Sequence, residues 1–304
     1  MTGSLFIDNI DIFTEYGISI TDGGYNGFIA HTSLKEIDIN DWPEEDGIEA
    51  DLSNPVLDTK EFTMTFGGMD YTKTETFIAF LSDGAYHDFE FPQIMSSARI
   101  RLVSQPDKQC IIPYESFTLK FADDFPLNGY TYLSPVGSIQ QTGFDIDGKS
   151  LSDYGILVLD TSYDEITKIP PVKKKLTSSY RNISGINYDE YWVKYQSKDV
   201  NLKCLLQASS ITTFWRNWNA LLYDFIRPGE RKFYVQQFED TFLCFYKGCL
   251  VSLFTIISGE IWCEFTFTLT FTDFRPKFTY YVWGTQDNKI IITEDEKNLI
   301  KYEK

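Results

Sequence analysis

The stretches FTLKFAD (Phe117–Asp123) and FTLTFTD (Phe267–Asp273) share five of their seven residues at a spacing of 150 residues. In both, large apolar side chains occupy alternate positions, which is typical of a β-strand with one buried face. A proline follows shortly after each stretch, at Pro126 and Pro276, and proline cannot continue a strand's hydrogen-bond ladder. We therefore predict that each stretch is the last strand of one of two repeated domains.

A second match supports the duplication. FIDNIDIFTEYGISI (Phe6–Ile20) aligns with FDIDGKSLSDYGILV (Phe144–Val158) at an offset of 138 residues. Between the landmarks, Glu61–Gly68 and Asn201–Ala208 are further strand candidates with largely alternating side chains. The pattern β-β-β-α-β-β-β is thus predicted twice. The residue pairs expected at equivalent places are Phe6 and Phe144, Tyr16 and Tyr154, and Leu119 and Leu269.

Each half also contains a helix candidate. ITTFWRNWNALLYDF (Ile211–Phe225) places its apolar residues on one wide helical face, with Ser210 as the N-cap. The first half has a weaker counterpart in TKTETFIAFLSDG (Thr72–Gly84). The sequence therefore predicts one helix in each repeat.

The aromatic stripe of the second helix has two interpretations. Trp215 and Trp218 could form a platform for a sugar, or they could pack in the core. Their helical spacing favours the core. We predict that Phe214, Trp215, Trp218 and Leu222 are core residues and do not bind a ligand.

These patterns predict a mainly β (α+β) fold. Neither half alternates strands and helices, which argues against a doubly wound parallel sheet. Two small β barrels or sandwiches, each with one helix, fit better. The expected domains are residues 1–137 and 138–276, joined by a linker at 129–143, with a short C-terminal β-hairpin extension at 277–304.

Composition excludes several classes of protein. Of the 304 residues, 43% are hydrophobic, which is enough for packed cores and argues against disorder. No apolar run reaches the ~18 residues of a membrane span. The N-terminal segment has no basic region and carries Asp8 and Asp11 early, so we expect no signal peptide.

Catalytic and metal chemistry have little support. The five cysteines are odd in number and form no C-x-x-C pair, so we expect reduced, buried thiols. His31 and His87 are the only histidines, too few for a histidine-rich metal site. Common catalytic motifs are missing from the sequence. We therefore expect no enzyme activity, no cofactor and no metal, although acid pairs such as Asp123 and Asp124 leave a hydrolase open.

Charge separates the two halves. Residues 1–138 carry 7 Lys and Arg against 23 Asp and Glu, whereas residues 139–304 carry 20 against 21. The contrast is strongest between an acidic loop, Lys35–Asp51, and a basic loop, Lys168–Asn182. Two interpretations stay open. Both loops could simply be solvated, or the acidic loop of one subunit could contact the basic loop of the next. The candidate interface residues are Glu44, Glu45, Asp46, Lys173, Lys174 and Lys175.

The net charge also bears on partners. At −17 overall, the chain is poorly suited to tight nucleic-acid binding, because the phosphate backbone attracts Lys and Arg. The three lysines at 173–175 are too short a run to change that expectation. A protein partner, including a second copy of the chain, fits the charge pattern better.

The second half resembles the N-terminal domain of distal tail proteins of long-tailed phages. The resemblance rests on Ile146-Asp147-Gly148 with Asp153-Tyr154-Gly155-Ile156, followed by a proline-containing loop, a strand, a helix and the final FTLTF. The first half departs from the pattern, because Ile10 aligns with the glycine. The C-terminal IIITEDEKNLIKYE resembles the hairpin tails of phage and prophage tail proteins from gut bacteria.

This resemblance implies a β-barrel ring component of a tail tip or baseplate. Such a protein would assemble in the bacterial cytoplasm and reside in the virion, joining the tail tube to receptor-binding parts. Its expected partners are itself, as a trimeric or hexameric ring, and other tail proteins. The related tail hubs, with two barrels per chain, would suit the duplication. The main alternative is a carbohydrate-binding or adhesive pair of β-sandwiches.

Overall fold

Both halves of the chain fold into the same order of seven strands. We call residues 1–137 repeat 1 and residues 138–274 repeat 2. The computed structural model describes residues 3–21, 23–111, 114–137, 139–140, 142–174, 177–188, 193–274, 281–282 and 301–302.

Repeat 1 contains nine strands and three α-helices within these residues. In chain order they are β1 (Phe6–Ile7), β2 (Ile10–Asp11), α1 (Ile12–Tyr16), β3 (Ser19–Ile20), α2 (Asn26–Ile29), β4 (Ile39–Asn40), β5 (Glu49–Ala50), β6 (Lys60–Gly68), α3 (Tyr71–Leu81), β7 (His87–Phe91), β8 (Ser96–Ile111) and β9 (Tyr114–Asp123).

Repeat 2 repeats this succession. Its elements are β10 (Phe144–Ile146), β11 (Lys149–Ser150), β12 (Ile156–Val158), α4 (Thr161–Thr167), β13 (Thr177–Ser178), β14 (Asn187–Tyr188), β15 (Lys198–Ala208), α5 (Ile211–Phe225), β16 (Arg231–Val235), β17 (Asp240–Ile257) and β18 (Glu260–Phe271).

The two main sheets have matching topology. Their orders are β2-β1-β7-β8-β9-β6-β3 and β11-β10-β16-β17-β18-β15-β12. The duplicated FTL stretches take the same place, β9 and β18, so the mainly β fold and the repeat are confirmed. One helix per repeat holds only for the longer helices, α3 and α5, because α1, α2 and α4 add short helical segments.

The two repeats belong to a single compact unit. That unit spans Met1–Phe274, and a second unit spans Arg275–Lys304. The predicted boundary at residue 137 separates the two sheets, but it does not separate two compact bodies. In the second unit, β19 (Tyr281–Val282) pairs antiparallel with β20 (Lys301–Tyr302). The other residues of the predicted C-terminal hairpin lie outside the described ranges.

The duplicated strands bury alternate side chains, as predicted. The buried residues are Phe117, Leu119 and Phe121 in β9 and Phe267, Leu269 and Phe271 in β18. Burying each such side chain contributes about 1.5–3 kcal/mol. The apolar faces of both sheets therefore form the core.

The register of these strands differs from the sequence match by two residues. Lys60 and Lys198 begin β6 and β15 at equivalent places, since each donates from Nζ to the carbonyl end of the preceding short helix, α2 or α4. Lys60 faces Asp123 across the sheet, whereas Lys198 faces Phe271. Asp123 and Phe271 are therefore equivalent, although the sequence match pairs Asp123 with Asp273.

The predicted equivalence of Leu119 and Leu269 is wrong for this reason. In the observed register Leu119 corresponds to Phe267. Because side chains alternate between the faces of a strand, a slip of two residues keeps every side chain on its face. The apolar pattern therefore cannot reveal the slip.

A tight turn after the first strand of each sheet is duplicated as well. Asp8 and Asp147 both adopt positive φ, at 50° and 49°. Asp8 Oδ2 lies 2.7 Å from His87 Nδ1, and Asp147 Oδ2 accepts from Arg231 Nη1 at 2.8 Å. In both turns the other carboxylate oxygen accepts a backbone amide of the adjacent strand. Each turn is thus pinned by a buried basic side chain.

This turn corrects the predicted match at the N-terminus. Counted from the aspartates, Leu5 corresponds to Phe144, and Leu5 is fully buried while Phe6 is only half-buried. The extra residue of α1 brings the repeats back into step, so Tyr16 and Tyr154 match as predicted. Tyr16 ends α1, and Tyr154 ends a 3-10 turn that spans Leu151–Tyr154. A left-handed glycine follows each tyrosine.

The glycine of the distal-tail-like pattern also has a different counterpart. Gly148 adopts φ 81°, and the corresponding residue in repeat 1 is Asn9 with φ 66°. The sequence alignment places Ile10 there. Asparagine and glycine both tolerate left-handed backbone, whereas a β-branched residue does not. The first repeat therefore preserves the turn.

Helix α5 has the predicted boundaries and cap. Ser210 Oγ accepts from the Thr213 amide at 3.2 Å, which satisfies one of the free N–H groups of the first turn. Trp218 and Leu222 are buried, as is Phe214, so the core prediction is confirmed for these three. Trp215 is half-buried.

The predicted linker, 129–143, packs on α5 where it is described. The Val136 amide donates to Asn217 Oδ1 at 2.8 Å, and the Tyr132 hydroxyl donates to Asp224 Oδ2 at 3.0 Å. Both acceptors are buried side chains of α5. The connection between the sheets is therefore held by repeat 2.

Asp224 is the centre of a buried polar network. Besides Tyr132, it accepts from Tyr154 Oη at 2.6 Å and from Lys149 Nζ at 2.9 Å. Burial raises the pKa of Asp224, but the hydrogen bonds from Tyr154, Lys149 and Tyr132 outweigh it and hold the pKa below its usual value. The carboxylate is therefore a satisfied structural anion.

Candidate assembly interface

The acidic loop, Lys35–Asp51, contains the short hairpin of β4 and β5. Within it, Trp42 Nε1 donates to Glu49 Oε2 at 3.3 Å. The acidic loop lies against repeat 2 of the same chain, and two of the predicted interface residues, Lys173 and Asp46, take part in this contact. The contacts are both ionic and backbone-mediated.

Lys173 of the basic loop is the first of these contacts. Its Nζ lies 2.5 Å from Asp41 Oδ1 and donates to the Trp42 carbonyl at 2.8 Å. Lys173 is only 7% exposed. Because a buried ammonium is costly without partners, these acceptors hold Lys173 inside the chain's own interface.

Asp46 is the second. Its Oδ1 accepts from the Tyr195 amide at 2.9 Å, and its Oδ2 lies 3.6 Å from Lys194 Nζ. The neighbouring Gly47 amide donates back to the Tyr195 carbonyl at 2.8 Å. The acidic loop is thus fixed to Tyr195 of repeat 2 by one side-chain and one backbone hydrogen bond.

Gly47 permits a close approach of the two repeats. Its φ is +69°, and a Cβ placed there would lie 1.6 Å from the Thr272 carbonyl oxygen. The next amide, Ile48 N–H, donates to that same oxygen at 2.8 Å. Only glycine fits both the backbone conformation and the space.

The acidic loop therefore meets the basic loop within one chain through Lys173, which pairs with Asp41, whereas the partners of Asp46 are Lys194 and Tyr195, outside the basic loop. Charge patterning could show that the loops are complementary, but it could not show whether they meet in one chain or between two. Glu44, Glu45 and Lys174 are exposed, and a contact with a neighbouring subunit through them stays a prediction. Lys175 lies outside the described residues.

A larger contact, which sequence reasoning missed, joins α5 to repeat 1. Trp218 Nε1 donates to the Ile29 carbonyl at 2.9 Å, and the Trp218 ring stacks on His31 with centroids 4.3 Å apart. His31 Nε2 in turn lies 3.1 Å from the Trp218 carbonyl. The tryptophan is core for repeat 2 and an anchor for repeat 1 at once.

Three further hydrogen bonds extend this contact. The Tyr246 hydroxyl donates to the Thr32 carbonyl at 2.8 Å, and Trp215 Nε1 donates to the Ile94 carbonyl at 2.6 Å. Asn26 Nδ2 donates to the carbonyl of Ser252, in β17, at 2.9 Å. All three acceptors are backbone carbonyls, and the two in repeat 1 leave no signature in its sequence.

His31 is uncharged at this joint, the contact between α5 and repeat 1. Burial, together with the nearby Lys60 charge, lowers the pKa of His31 to about 3, and the hydrogen bond to the Trp218 carbonyl offsets only part of this. The imidazole is therefore neutral at physiological pH. Since a carbonyl can only accept, the proton resides on Nε2.

A cleft of about 1040 Å³ opens beside this joint. Its walls include Trp215 from repeat 2 and Lys60 and Asp123 from repeat 1, with the 65% exposed Phe125 at its edge. Burial lowers the pKa of Lys60 to about 8, against the attraction of Asp123. The cleft is thus lined by aromatic and polar groups.

Other site chemistry is sparse among the residues described. Four cysteines there are free, and burial raises the pKa of each of these thiols; the side chain of Cys110 is not among them. No group of three possible metal ligands occurs in the described ranges. The longest helix found there has 15 residues, and none is suited to cross a membrane.

No family model matches the chain, and no curated protein matches it. Among solved structures, the chain is similar to the Dit (gp 19.1) protein of SPP1, described as a paradigm of the hub adsorption apparatus in phages that infect Gram-positive bacteria. The match covers 88% of this chain and 97% of that one, with 9% identity and a TM-score of 0.33. Similarity at this level establishes neither a shared fold nor a shared function.

Proposed function

We propose that the chain is a structural component of a phage or prophage tail tip or baseplate. Copies of it would form a ring that links the tail tube to receptor-binding parts. The role is non-catalytic and needs no cofactor. The proposal includes a barrel or sandwich form for each repeat and residence in the virion.

The observation that carries the proposal is the contact between the repeats. Two copies of one fold meet through different surfaces, with the acidic loop and His31 on one side and α5 on the other. A contact between unlike surfaces of like units can be repeated, and it generates rings or filaments. The distal-tail-like motif around Ile146-Asp147-Gly148 supports a tail as the setting.

The direct test is to locate the protein in particles. A gold-labelled antibody against the chain should mark one end of the tails in electron micrographs. Deleting the gene should leave particles without complete tails, and supplying the gene in trans should restore them. Normal tails from the deletion strain, without label in the wild type, would contradict the proposal.

One observation favours a second candidate, carbohydrate binding. The cleft combines half-buried Trp215 and exposed Phe125 with Asp123 and Asn128, a mixture of aromatic faces and hydrogen-bonding groups that suits a sugar. Binding to a glycan array that Trp215→Ala abolishes would support this candidate. The matched control is Trp42→Ala, an exposed tryptophan outside the residues that line the cleft.

A further inference from the structure

The contact inside the chain uses one surface from each repeat. The front surface of repeat 1 is residues 26–34, whose carbonyls and His31 meet repeat 2. The back surface of repeat 2 is α5 with β17, which supplies Trp218 and Tyr246. Because the repeats share a fold, each also has the surface that this contact leaves unused.

The front surface of repeat 2 can be placed by backbone pairing. Leu34 bridges Leu57 in repeat 1, and Val172 bridges Tyr195 in repeat 2. These pairs differ by 138 residues at both members, so residues 164–172 of repeat 2 correspond to residues 26–34. This segment is the unused front surface.

The unused front surface is apolar where the used one is polar. Ile169 stands at the position of His31 and is 53% exposed, and Val172 stands at the position of Leu34 and is 48% exposed. A single exposed isoleucine needs no explanation. An exposed isoleucine at the position that contacts Trp218 in the other repeat, with an exposed valine three residues further on, indicates a place for contact.

The unused back surface lies on repeat 1, around α3. The helices align through their N-caps, Asp70 and Ser210. This alignment places Ile78 at the position of Trp218. Both sheets bulge at the same point, at Val103 in β8 and Lys247 in β17, which places Leu102 at the position of Tyr246.

The two unused surfaces match each other in chemistry. Inside the chain, the polar ring of His31 meets the indole of Trp218. On the unused surfaces, Ile169 stands at the position of His31 and Ile78 at the position of Trp218. Leu102 stands at the position of Tyr246 and has no hydroxyl. Ile78 and Leu102 are half-buried. An aliphatic joint would thus replace a hydrogen-bonded one.

We propose that the front surface of repeat 2 docks on the back surface of repeat 1 of a second copy, with Ile169 against Ile78. The partner is a second copy because the internal contact shows how these two surfaces of the fold fit together. This inference rests on the proposed function in one respect. The assembly role is what would make self-association through this contact useful to the protein.

Charge favours the same pairing. The basic loop, with exposed Lys174, belongs to the front side of repeat 2, and repeat 1 carries the strong acidic excess. The charges would steer the encounter, while the aliphatic contacts provide most of the affinity.

The test is a charge exchange at the two isoleucines. Ile169→Asp and Ile78→Lys should each weaken self-association by at least about tenfold, measured by sedimentation over a range of concentrations. Combining them in one chain should recover much of the loss, since the introduced aspartate of one copy would then face the introduced lysine of the next. Ile257→Asp, at a position of similar exposure on β17, is the control and should change nothing.

A second measurement tests the proposal even where Ile78→Lys fails to fold. Ile169→Cys and Ile78→Cys chains, each folded by circular dichroism, are mixed and oxidised. The proposal expects a disulfide-linked dimer of the two, and only a background level from Ile257→Cys mixed with either. Wild-type protein oxidised in the same way shows how much dimer forms through the native cysteines.

Three results would overturn the proposal. They are a wild type that stays monomeric up to about 1 mM, an Ile169→Asp variant that associates like the wild type, and a mixed disulfide no more abundant than the control. The outcome is separable from the tail role. A protein that self-associates through Ile169 but is missing from tails would contradict only the proposed function, and a tail protein whose ring survives Ile169→Asp would contradict only this joint.

Discussion

Helices α3 and α5 take the same place in their repeats, yet they are buried differently. In α3, Thr74 and Phe77 are buried against the sheet of repeat 1. In α5, Trp218 packs edge-on against Phe265 of its own sheet and also stacks on His31 of repeat 1. The fold itself requires only one buried face of this helix. The second face of α5 is therefore the part that joins the repeats.

The largest expected effect comes from removing this second face. Trp218→Ala should destabilise the chain by about 3–5 kcal/mol, because it opens a cavity at a fully buried site and removes a hydrogen bond to repeat 1. The free energy of unfolding from urea titration measures it. The matched change in repeat 1, Ile78→Ala, removes a half-buried side chain and should cost less than about 2 kcal/mol.

Equal losses of unfolding free energy in Trp218→Ala and Ile78→Ala would contradict this difference between α5 and α3. They would mean that α5 contributes no more than α3, and that the contact between the repeats is weak. A Trp218→Ala variant of wild-type stability that lost binding to a glycan would go further, because it would reassign this aromatic stripe to a ligand.

The sequence predicted α5 well and its second role not at all. The spacing of Phe214, Trp218 and Leu222 indicates a buried helical face, and the cap at Ser210 marks its start. Periodicity reports burial without naming what covers the surface. The covering groups include the backbone carbonyl of Ile29, and a backbone carbonyl is present at every residue, so it leaves no pattern in the sequence.

The second comparison is between two glycines with positive φ. Gly47→Ala should destabilise the chain by about 1–3 kcal/mol or more, since the added Cβ meets the Thr272 carbonyl in a left-handed conformation. Gly148→Ala has similar backbone strain, with φ +81°, but open space around the Cβ, and should cost about 1 kcal/mol. Thermal unfolding of both variants measures the difference.

Hydrogen exchange tells where that difference arises. In Gly47→Ala, the Ile48 amide should lose protection, because its bond to the Thr272 carbonyl holds the acidic loop on repeat 2. Unchanged protection there, with both glycine variants equally stable, would mean that the acidic loop is only solvated.

The third comparison concerns acid stability. Hydrogen bonds from Arg101 and then Tyr86 hold the pKa of Asp124 at about 2, against the opposing effect of burial. Because the folded pKa is depressed, this stability is present above the unfolded pKa of 3.8 and is lost as the pH falls towards 2. The depressed pKa of Asp124 contributes about 1–2 kcal/mol to the free energy of unfolding once screening by solvent is included.

Arg101→Met should remove most of this pH dependence. The difference in unfolding free energy between wild type and variant, measured at pH 5 and near pH 2, isolates the pair from other carboxyl groups. Repeat 2 carries uncharged Phe245 and Thr272 at these places, so the acid-sensitive pair belongs to repeat 1 alone. A constant difference across this range would contradict the assignment.

The last comparison tests what the repeats share. Burial lowers the pKa of Lys60 and of Lys198 from 10.5 to about 8. Between those values the unfolded chain binds a proton that the folded chain does not, so stability rises with pH over this window. Lys60→Met and Lys198→Met should each flatten the rise by similar amounts, as followed by urea unfolding from pH 7.5 to pH 10. A flattening in only one variant would show that the lysines are not equivalent.

Register shows a further limit of sequence reasoning. The FTL match identifies β9 and β18 as the same strand, because five identical residues survive the duplication. It misplaces Leu119 against Leu269 by two residues, since a period of two makes both registers look alike. Loop charges have a similar limit. They predict that acidic and basic loops attract, but the choice between one chain and two depends on where Asp46 and Lys173 lie in three dimensions.

The central claim is that the front surface of one repeat always meets the back surface of the other, within a chain and between chains. Cryo-electron microscopy of tails that contain the chain tests it most directly. The account predicts a ring in which repeat 1 and repeat 2 alternate around the axis, with the Trp218 joint inside each chain and the Ile169 joint between chains. A ring built from contacts between like repeats, or tails that lack the chain, would contradict it.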